Sequence, residues 1–337
     1  MARELSVGIV GATGAVGLEM ARVLEQRNFP VGRLVPFASA RSEGKTVRFR
    51  GEEVPVTVLS EQTLPGLDLY LFSAGASVSR EFAPIAARSG VVVDNSSAFR
   101  MDPGVPLVVP EVNPDAVADH AGIIANPNCS TIQMVVAINP LHRAFGLKRV
   151  IVATYQSVSG TGLKAIDELD RQVRDYVEGR EPVPSVYPYP IAFNLIPHID
   201  VFFESGYTKE EMKMVDETRK IMNTPDLKVC ATCVRVPVFR CHSEAVVVET
   251  EKPVTVSEAR SVLANAPGVE ILDDPENRVY PTPRELAGTD KTYVGRIREA
   301  LVFEHGIALW IVADQLRKGA ALNAVQIAEL LLERGLL

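Results

Sequence analysis

The sequence predicts an α/β chain in two parts, a doubly wound parallel sheet followed by an α+β domain, and three observations carry that expectation. A glycine-rich turn links the first strand-like segment to the first helix-like one, short apolar strands then alternate with helical stretches, and beyond residue 145 the strand candidates lengthen. At 337 residues the chain has room for about two domains of ordinary size.

Leu5 to Val10 reads as a short buried strand, and Val16, Met20, Val23 and Leu24 then recur at helical spacing until Asn28 and Pro30 end the helix. Further strands are expected at Leu34 to Ala38, Leu67 to Ser73 and Val91 to Asp94, with short ones near Leu107 to Val109 and Ile123 to Ala125. Helices are expected near Arg80 to Arg88 and Asp115 to His120. In the second part, strands at Arg149 to Gln156, Lys228 to Val238, Ala245 to Thr250 and Gly306 to Val312 accompany helices at Leu163 to Val177 and Thr208 to Met222. Between those helices a proline-rich segment, Pro182 to Pro197 with Tyr187 and Tyr189, is long enough to be an arm or a lid. From Asn323 onward Val325, Ala328, Leu331 and Leu332 form one apolar face, so the chain closes with a helix able to return to the first domain. There is no internal repeat and no low-complexity tract.

Composition narrows the function. Lys and Arg number 35 against 42 Asp and Glu, a net charge of −7 that argues against a nucleic-acid groove and makes any anionic small molecule depend on a local positive pocket. No apolar run is long enough to cross a bilayer, and the first residues lack the pattern of a signal peptide. Four cysteines are too few for a disulfide framework, which points to a reducing compartment and a cytoplasmic protein. Cys230 and Cys233 form a C-x-x-C, but no second ligand pair follows at zinc-finger spacing, so no metal is expected.

Gly11-Ala-Thr-Gly14-Ala-Val-Gly17 lies where a dinucleotide fingerprint has to lie, between the first strand and the first helix. Glycines, having no Cβ, let backbone N–H groups and the helix N-terminus approach a pyrophosphate, which nominates Gly11 and Gly14 together with Thr13, Ala15 and Val16 of the same turn and helix start. A tight turn that binds nothing is the competing reading. After the second strand, Ser39, Arg41 and Ser42 suit the extra phosphate of NADP, and the first acidic residue, Glu43, comes late for the ribose of NAD; ordinary solvated charges are again the alternative.

Asn126-Pro-Asn-Cys129-Ser-Thr leads into the apolar stretch Ile132 to Ile138 and places Cys129 at or near a helix N-terminus, where unpaired N–H groups favour a thiolate. Most free cysteines are packing residues, but the polar approach favours catalysis. A nucleophile of this kind needs a proton-transfer partner, and the five histidines are His120, His142, His198, His242 and His305. His242 is attractive because it stands in the polar cluster Arg240-Cys-His-Ser-Glu244 between two strands; a surface-turn histidine is the competing reading.

Taken together these segments resemble the aspartate-semialdehyde dehydrogenase family in its shorter bacterial branch. The resemblance runs nearly end to end, through Gly11 to Gly17, Asp94-Asn-Ser-Ser-Ala-Phe-Arg100-Met, Val109-Pro-Glu-Val-Asn113, Asn126-Pro-Asn-Cys129-Ser-Thr, Gln156-Ser-Val-Ser-Gly-Thr-Gly162, Arg235-Val-Pro-Val and His242-Ser-Glu. It implies a Rossmann-like NADP-binding domain over 1–128, completed by a C-terminal helix over 314–337. Residues 129–313 would then form a catalytic and dimerisation domain of the glyceraldehyde-phosphate-dehydrogenase-like type. The implied reaction is the NADPH-dependent reductive dephosphorylation of L-aspartyl 4-phosphate to L-aspartate 4-semialdehyde, in lysine, methionine and threonine biosynthesis.

The resemblance also assigns roles. Cys129 attacks the acyl phosphate, His242 is the acid/base and Gln156 orients the acyl intermediate. Arg100 and Lys213 hold the phosphate, Arg235 the α-carboxylate and Glu210 the ammonium. Ser73 and Gly75 after the third strand, Ser159 and Gly160 near the nicotinamide, and Gln315 before the last helix complete the cofactor set; Gln315 is a departure, because relatives of this length carry Asn there. On spacing alone Glu210 and Lys213 read as an ordinary helix ion pair. The family forms homodimers. N-acetyl-glutamyl-phosphate reductase competes with this reading but has its cysteine in a Pro-Gly-Cys context; glyceraldehyde-phosphate dehydrogenase has a Ser-Cys-Thr-Thr segment that is absent here. A non-catalytic NADP-binding relative would be expected to lose Cys129 or His242, and both are present.

Overall fold

A computed structural model describes residues 3–337, which divide into two compact units, 3–128 with 320–337, and Cys129–Gly319. The sequence reading placed the return to the first unit at residue 314; residues 314–319 instead stay with the second unit, directly after its last strand.

The first unit is built on β1 (Leu5–Val10), α1 (Ala15–Gln26), β2 (Val31–Ala38), a hairpin of β3 (Thr46–Phe49) and β4 (Glu52–Pro55), then β5 (Thr57–Val58), β6 (Leu69–Phe72), α2 (Ala76–Ala86), β7 (Val91–Asp94) and β8 (Ile123–Ala125). Its main sheet runs β5-β2-β1-β6-β7-β8 with every pairing parallel. Alternation along β1 sends Leu5, Val7 and Ile9 to one face, where they pack with Met20, Val23 and Leu24 of α1 and with Val325, Ala328 and Leu331 of the closing helix Leu322–Glu333. The opposite face packs Val10, Phe37, Tyr70 and Phe72 against Ala83 and Ala86 of α2. Arg27, capping the end of α1, and Glu329 of the closing helix add an ion pair at 2.6 Å.

Three local expectations change here. Residues 107–109 contribute only an isolated bridge, Leu107 to Ala125, because the segment is pinned by the Asn113 side chain rather than by a full ladder. Pro114–Asp119 forms a 3-10 turn instead of the expected α-helix, and α2 begins four residues earlier than expected, at Ala76. The hairpin of β3 and β4 was not expected from its charged, short strands.

The second unit comprises α3 (Cys129–Phe145), β9 (Leu147–Gln156), α4 (Leu163–Val177), α5 (Lys209–Met222), β10 (Lys228–Arg235), β11 (His242–Thr250), α6 (Val256–Ala264), β12 (Val269–Ile271), α7 (Pro283–Leu286), β13 (Thr292–Glu299) and β14 (Gly306–Ala313). Its mixed sheet runs β10-β9-β11-β14-β13-β12. α3 is buried along almost its whole length, as befits a helix apolar on nearly every side. α5 begins with a capping box between Thr208 and Glu211, and Glu211 also accepts the Cys233 N–H on β10, an edge strand of this sheet. Strands β12 and β13 and helices α6 and α7 were not expected, β10 stops at Arg235 rather than Val238, and β11 starts at His242 rather than Ala245.

Parallel pairing of β9 with β10 and antiparallel pairing of β11 with both β9 and β14 bring four chain positions to one end of this sheet. Gln156 and Arg235 end β9 and β10 as paired residues, while His242 opens β11 opposite Ala313, the end of β14. Topology therefore gathers residues far apart in sequence before any side chain is considered.

Candidate active site

Cys129 is the first residue of α3, and its Sγ lies 3.2 Å from Nε2 of His242. At that position a thiolate faces the positive end of the helix dipole, which favours negative charge. The ring of His242 is fully buried, and its Nδ1 accepts the backbone N–H of Ser157 at 3.0 Å and lies 3.2 Å from Ser157 Oγ. Burial, reinforced by the nearby Arg235 guanidinium, pushes His242 down to about 3. The imidazole is therefore neutral near pH 7, and an N–H donor aimed at Nδ1 places its proton on Nε2, facing the cysteine.

The turn that enters β11 is locked from below. Asp314, buried just after β14, is 2.6 Å from Arg240 Nε and accepts the N–H groups of Gly288 and Leu316. Burial raises the Asp314 carboxyl, with Arg240 working the other way. Cys241, next to the histidine, has a positive φ of 73°, is buried, and has its thiol pushed up by that burial, so it is no rival nucleophile.

Gln156, Glu210 and Lys213 form a chain. Gln156 Nε2 donates to Glu210 Oε1 at 3.2 Å, and Lys213 Nζ donates to Glu210 Oε2 at 3.0 Å. Lys213, expected to face a phosphate, also donates to Asp200 at 2.8 Å, so the structure ties its ammonium between two carboxylates. Arg235 is 5% exposed, donates Nη1 to the Ser157 carbonyl at 2.6 Å, and keeps a buried Nε with no partner, the state of a guanidinium awaiting an anion. Its guanidinium also lies 5.8 Å from the ring of Tyr187, from the proline-rich segment.

Gly160 sits against both functional groups: a Cβ there would lie 3.1 Å from His242 Cε1 and 3.2 Å from Arg235 Nη1. Ser159 takes a hydrogen bond from Gln315 Nε2, and Gln315 Oε1 accepts the Cys241 N–H at 2.7 Å. A glutamine in place of the expected asparagine thus spans from the loop after β9 to the turn before His242. Cys230 is exposed with Tyr207 Oη 3.6 Å away, whereas Cys233 is buried against Met214, so the C-x-x-C pair points to opposite sides of β10. No group of three or more potential ligands is placed to hold a metal among the described residues.

In the first unit, β1 has its first two neighbours on opposite sides, β2 and β6, which makes the carboxyl end between β1 and β6 the topological switch point. Gly11 follows β1 there with φ 88°, and Ser73 follows β6. A Cβ on Gly11 would meet the Ser73 carbonyl at 2.6 Å and one on Gly17 the Gly11 carbonyl at 2.3 Å, so neither position admits a side chain. Gly14 caps α1 with no side-chain hydrogen bond, and no acidic residue lies in the first turn, which leaves the N-terminus beside Thr13, Ala15 and Val16 open to an anion. This is a cradle shaped for a pyrophosphate. Ser42 Oγ lies 3.3 Å from Thr13 Oγ1, joining the turn after β2 to the glycine turn; Ser39 and Arg41 beside it are exposed, as is Gly75, which caps α2. Arg100, 7% exposed, donates to the carbonyls of Asn126 at 3.0 Å and Asn95 at 2.9 Å.

Ser157, Asp200, Arg240 and Asp314 were not singled out from sequence. Their contacts run through backbone groups or across long separations, as with the 85 residues between Ser157 and His242, and no local pattern announces such pairs.

Comparison with known proteins agrees with this arrangement. A family model for the semialdehyde dehydrogenase NAD binding domain matches residues 6–120, and one for the semialdehyde dehydrogenase dimerisation domain matches residues 138–318. The aspartate-semialdehyde dehydrogenase of Aquifex aeolicus is 59% identical, over 98% of this chain and 99% of that protein. That of Bacillus subtilis is 50% identical over 98% of each. A crystal structure of aspartate semialdehyde dehydrogenase II from Vibrio cholerae, complexed with ASA, superposes with a TM-score of 0.96 at 50% identity, covering 98% of this chain and 99% of the other. With a dinucleotide-binding unit, a dimerisation unit and end-to-end identity of this order, the chain belongs to the aspartate-semialdehyde dehydrogenase family.

Proposed function

We propose that this enzyme catalyses the NADPH-dependent reductive dephosphorylation of L-aspartyl 4-phosphate to L-aspartate 4-semialdehyde through a thioester on Cys129. The observation that carries the reading is the Cys129 to His242 contact at 3.2 Å, at a helix N-terminus and with the histidine proton directed at sulfur. Cys129 Sγ attacks the acyl carbon, the C–O bond to phosphate breaks, and phosphate leaves with that electron pair. The glycine turn would hold NADPH, which when bound would supply the hydride for reduction of the thioester carbon. The Nε2–H of His242 then has two successive acceptors, the oxyanion of the tetrahedral thiohemiacetal and the Cys129 thiolate as it departs to leave the aldehyde.

Substrate charge fits the groups at the sheet end. Arg235 offers its unpartnered Nε to the α-carboxylate, Glu210 takes the ammonium, Lys213 takes the phosphate and Gln156 orients the acyl group; Arg100, in the first unit, is the further phosphate ligand that the family resemblance assigns. Gly11, Thr13, Gly14, Ala15 and Val16 hold the pyrophosphate, with Ser73 and Gly75 beside them, and Ser39, Arg41 and Ser42 take the extra phosphate that distinguishes NADP from NAD. Ser159, Gly160 and Gln315 serve the nicotinamide side.

The same reading makes the enzyme a homodimer through its second unit. One face of that sheet is covered by α3 and α5, but Ile151 is 45% exposed on the opposite face, where Tyr155 and Trp310 pair at 5.5 Å. Leu301, Phe193 and Leu195 are exposed as well, and apolar surface of this extent calls for a partner. No helix among the described residues is long and apolar enough to cross a membrane.

The test follows formation of reduced nicotinamide from aspartate semialdehyde, phosphate and NADP. Turnover that requires phosphate and vanishes in Cys129→Ala supports the reading. A folded protein that binds NADP and turns over nothing would sink it.

A further inference from the structure

Lys213 carries two carboxylates at once, Glu210 at 3.0 Å and Asp200 at 2.8 Å. Burial works against its charge, yet the two carboxylates together hold the ammonium above its ordinary value. One ammonium between two carboxylates is a poor receptor for a further anion. Lys209 adds positive charge near Asp200, but from an exposed position where solvent screens it.

The two carboxylates are not equivalent. Glu210 is 5% exposed, stands in the first turn of α5 and is held by Gln156 as well. Asp200 lies outside any helix or strand, in the segment before α5, with its side chain 30% exposed. Its hydrogen bonds go to Lys213 and to the N–H of the next residue, Val201. Burial opposes its ionisation, and the Lys213 hydrogen bond overcomes that and holds its carboxyl below the ordinary value. Of the two, Asp200 is the partner that can let go.

We infer that Asp200 is an internal stand-in for the substrate's phosphate on Lys213, and that the phosphate group binds by displacing it. This rests on the reading of Lys213 as a phosphate ligand. The device orients the lysine while the site is empty and raises the threshold for occupancy. A dianionic phosphate with three acceptor oxygens displaces the carboxylate, whereas a simple monoanion does not.

Asp200 has φ 68°, a conformation that Asn and Gly adopt readily, and Asn keeps the acceptor for the Val201 N–H, so Asp200→Asn and Asp200→Gly remove the charge without straining the chain. Initial rates with aspartate semialdehyde, NADP and varied inorganic phosphate should show the phosphate KM falling about three- to tenfold in both variants, with the semialdehyde KM nearly unchanged. Lys213→Met should raise the phosphate KM. Glu204→Gln, which removes an exposed charge from the same segment, should leave it unaltered. If both Asp200 variants keep or raise the phosphate KM while Lys213→Met raises it, Asp200 is an anchor and the inference falls with the Lys213 reading intact. An equal drop in Glu204→Gln would reduce the effect to net charge and overturn the inference too. A phosphate KM untouched in Lys213→Met would remove both readings.

Discussion

The backbone N–H of Ser157 donates to Nδ1 of His242 at 3.0 Å, so the imidazole proton belongs on Nε2, 3.2 Å from the sulfur of Cys129. Protonating the second nitrogen would set two N–H groups against each other in a buried site, which agrees with a His242 pushed down to about 3. Nitrogen-15 NMR of the free enzyme should show a neutral ring with the proton on Nε2 throughout about pH 5 to 8. The stability consequence has a definite sign. The unfolded chain takes up this proton near 6.5 and the folded one only near 3, so stability present above 6.5 is lost as pH falls between those values. His242→Gln should lose activity and show a shallower fall in melting temperature over that acid range; a fall as steep as wild type would place the acid sensitivity elsewhere.

Gly319 faces Cys129 from the stretch after β14. A Cβ at this position would lie 2.9 Å from Cys129 Cβ, closer than real side chains sit, and 3.3 Å from Cys129 Cα, a tight contact. Gly319→Ala should therefore push the sulfur away from His242 and lower kcat about a hundredfold, the usual cost of misplacing a reacting atom by roughly an ångström. Alkylation of Cys129 should slow in parallel, while exposed Cys230 reacts as before and serves as an internal reference. Unchanged kcat in a folded variant would show that the helix start absorbs the extra methyl.

What was legible in the sequence was local. The turn from Gly11 to Gly17 was readable because its glycines fall within seven consecutive residues, although the Ser73 carbonyl that excludes a side chain at Gly11 comes from far along the chain. The Glu210 and Lys213 pair was readable as a helix ion pair, and it is one, but Asp200 comes from outside that helix and turns the pair into a triad. β13 escaped notice because the Tyr293 to Glu299 stretch breaks its own alternation: Arg296 has φ 52° and the ladder with β14 shifts between Gly295 and Arg298. His242 looked like a turn residue because the register of β11 is set by β9 and β14, not by its neighbours in sequence. A role carried by a backbone N–H, such as that of Ser157, leaves no trace in side-chain identity at all.

Cofactor choice is testable at the turn after β2. Ser42 is buried and bridges to Thr13, whereas Arg41 is exposed and charged, so the two residues should separate fit from selectivity. Arg41→Ala is expected to raise the KM for NADP about tenfold and leave that for NAD nearly unchanged, because the guanidinium matters only where the extra ribose phosphate of NADP is present. Gly17→Ala, whose new Cβ would meet the Gly11 carbonyl, should weaken both cofactors alike. Equal losses of NADP and NAD in Arg41→Ala would mean that the arginine shapes the loop without contacting phosphate.

Glu244 is the buried charge for which the chemistry has no use. It lies two residues beyond His242 on β11, is fully buried, and is forced well above the ordinary carboxyl value by that burial, with Gln133 of α3 working the other way. The folded protein therefore keeps a proton that the unfolded chain gives up near 4.5, so stability declines as pH rises beyond that point. Glu244→Gln keeps the shape and has no proton to lose. It should match wild type in mild acid and exceed it by about 1–3 kcal/mol near neutral pH, a gap that widens with pH until the native carboxyl ionises. Melting temperatures of the two proteins across that range give the comparison directly. If the variant is no more stable at neutral pH, Glu244 has found a compensating partner and its burial costs the fold nothing.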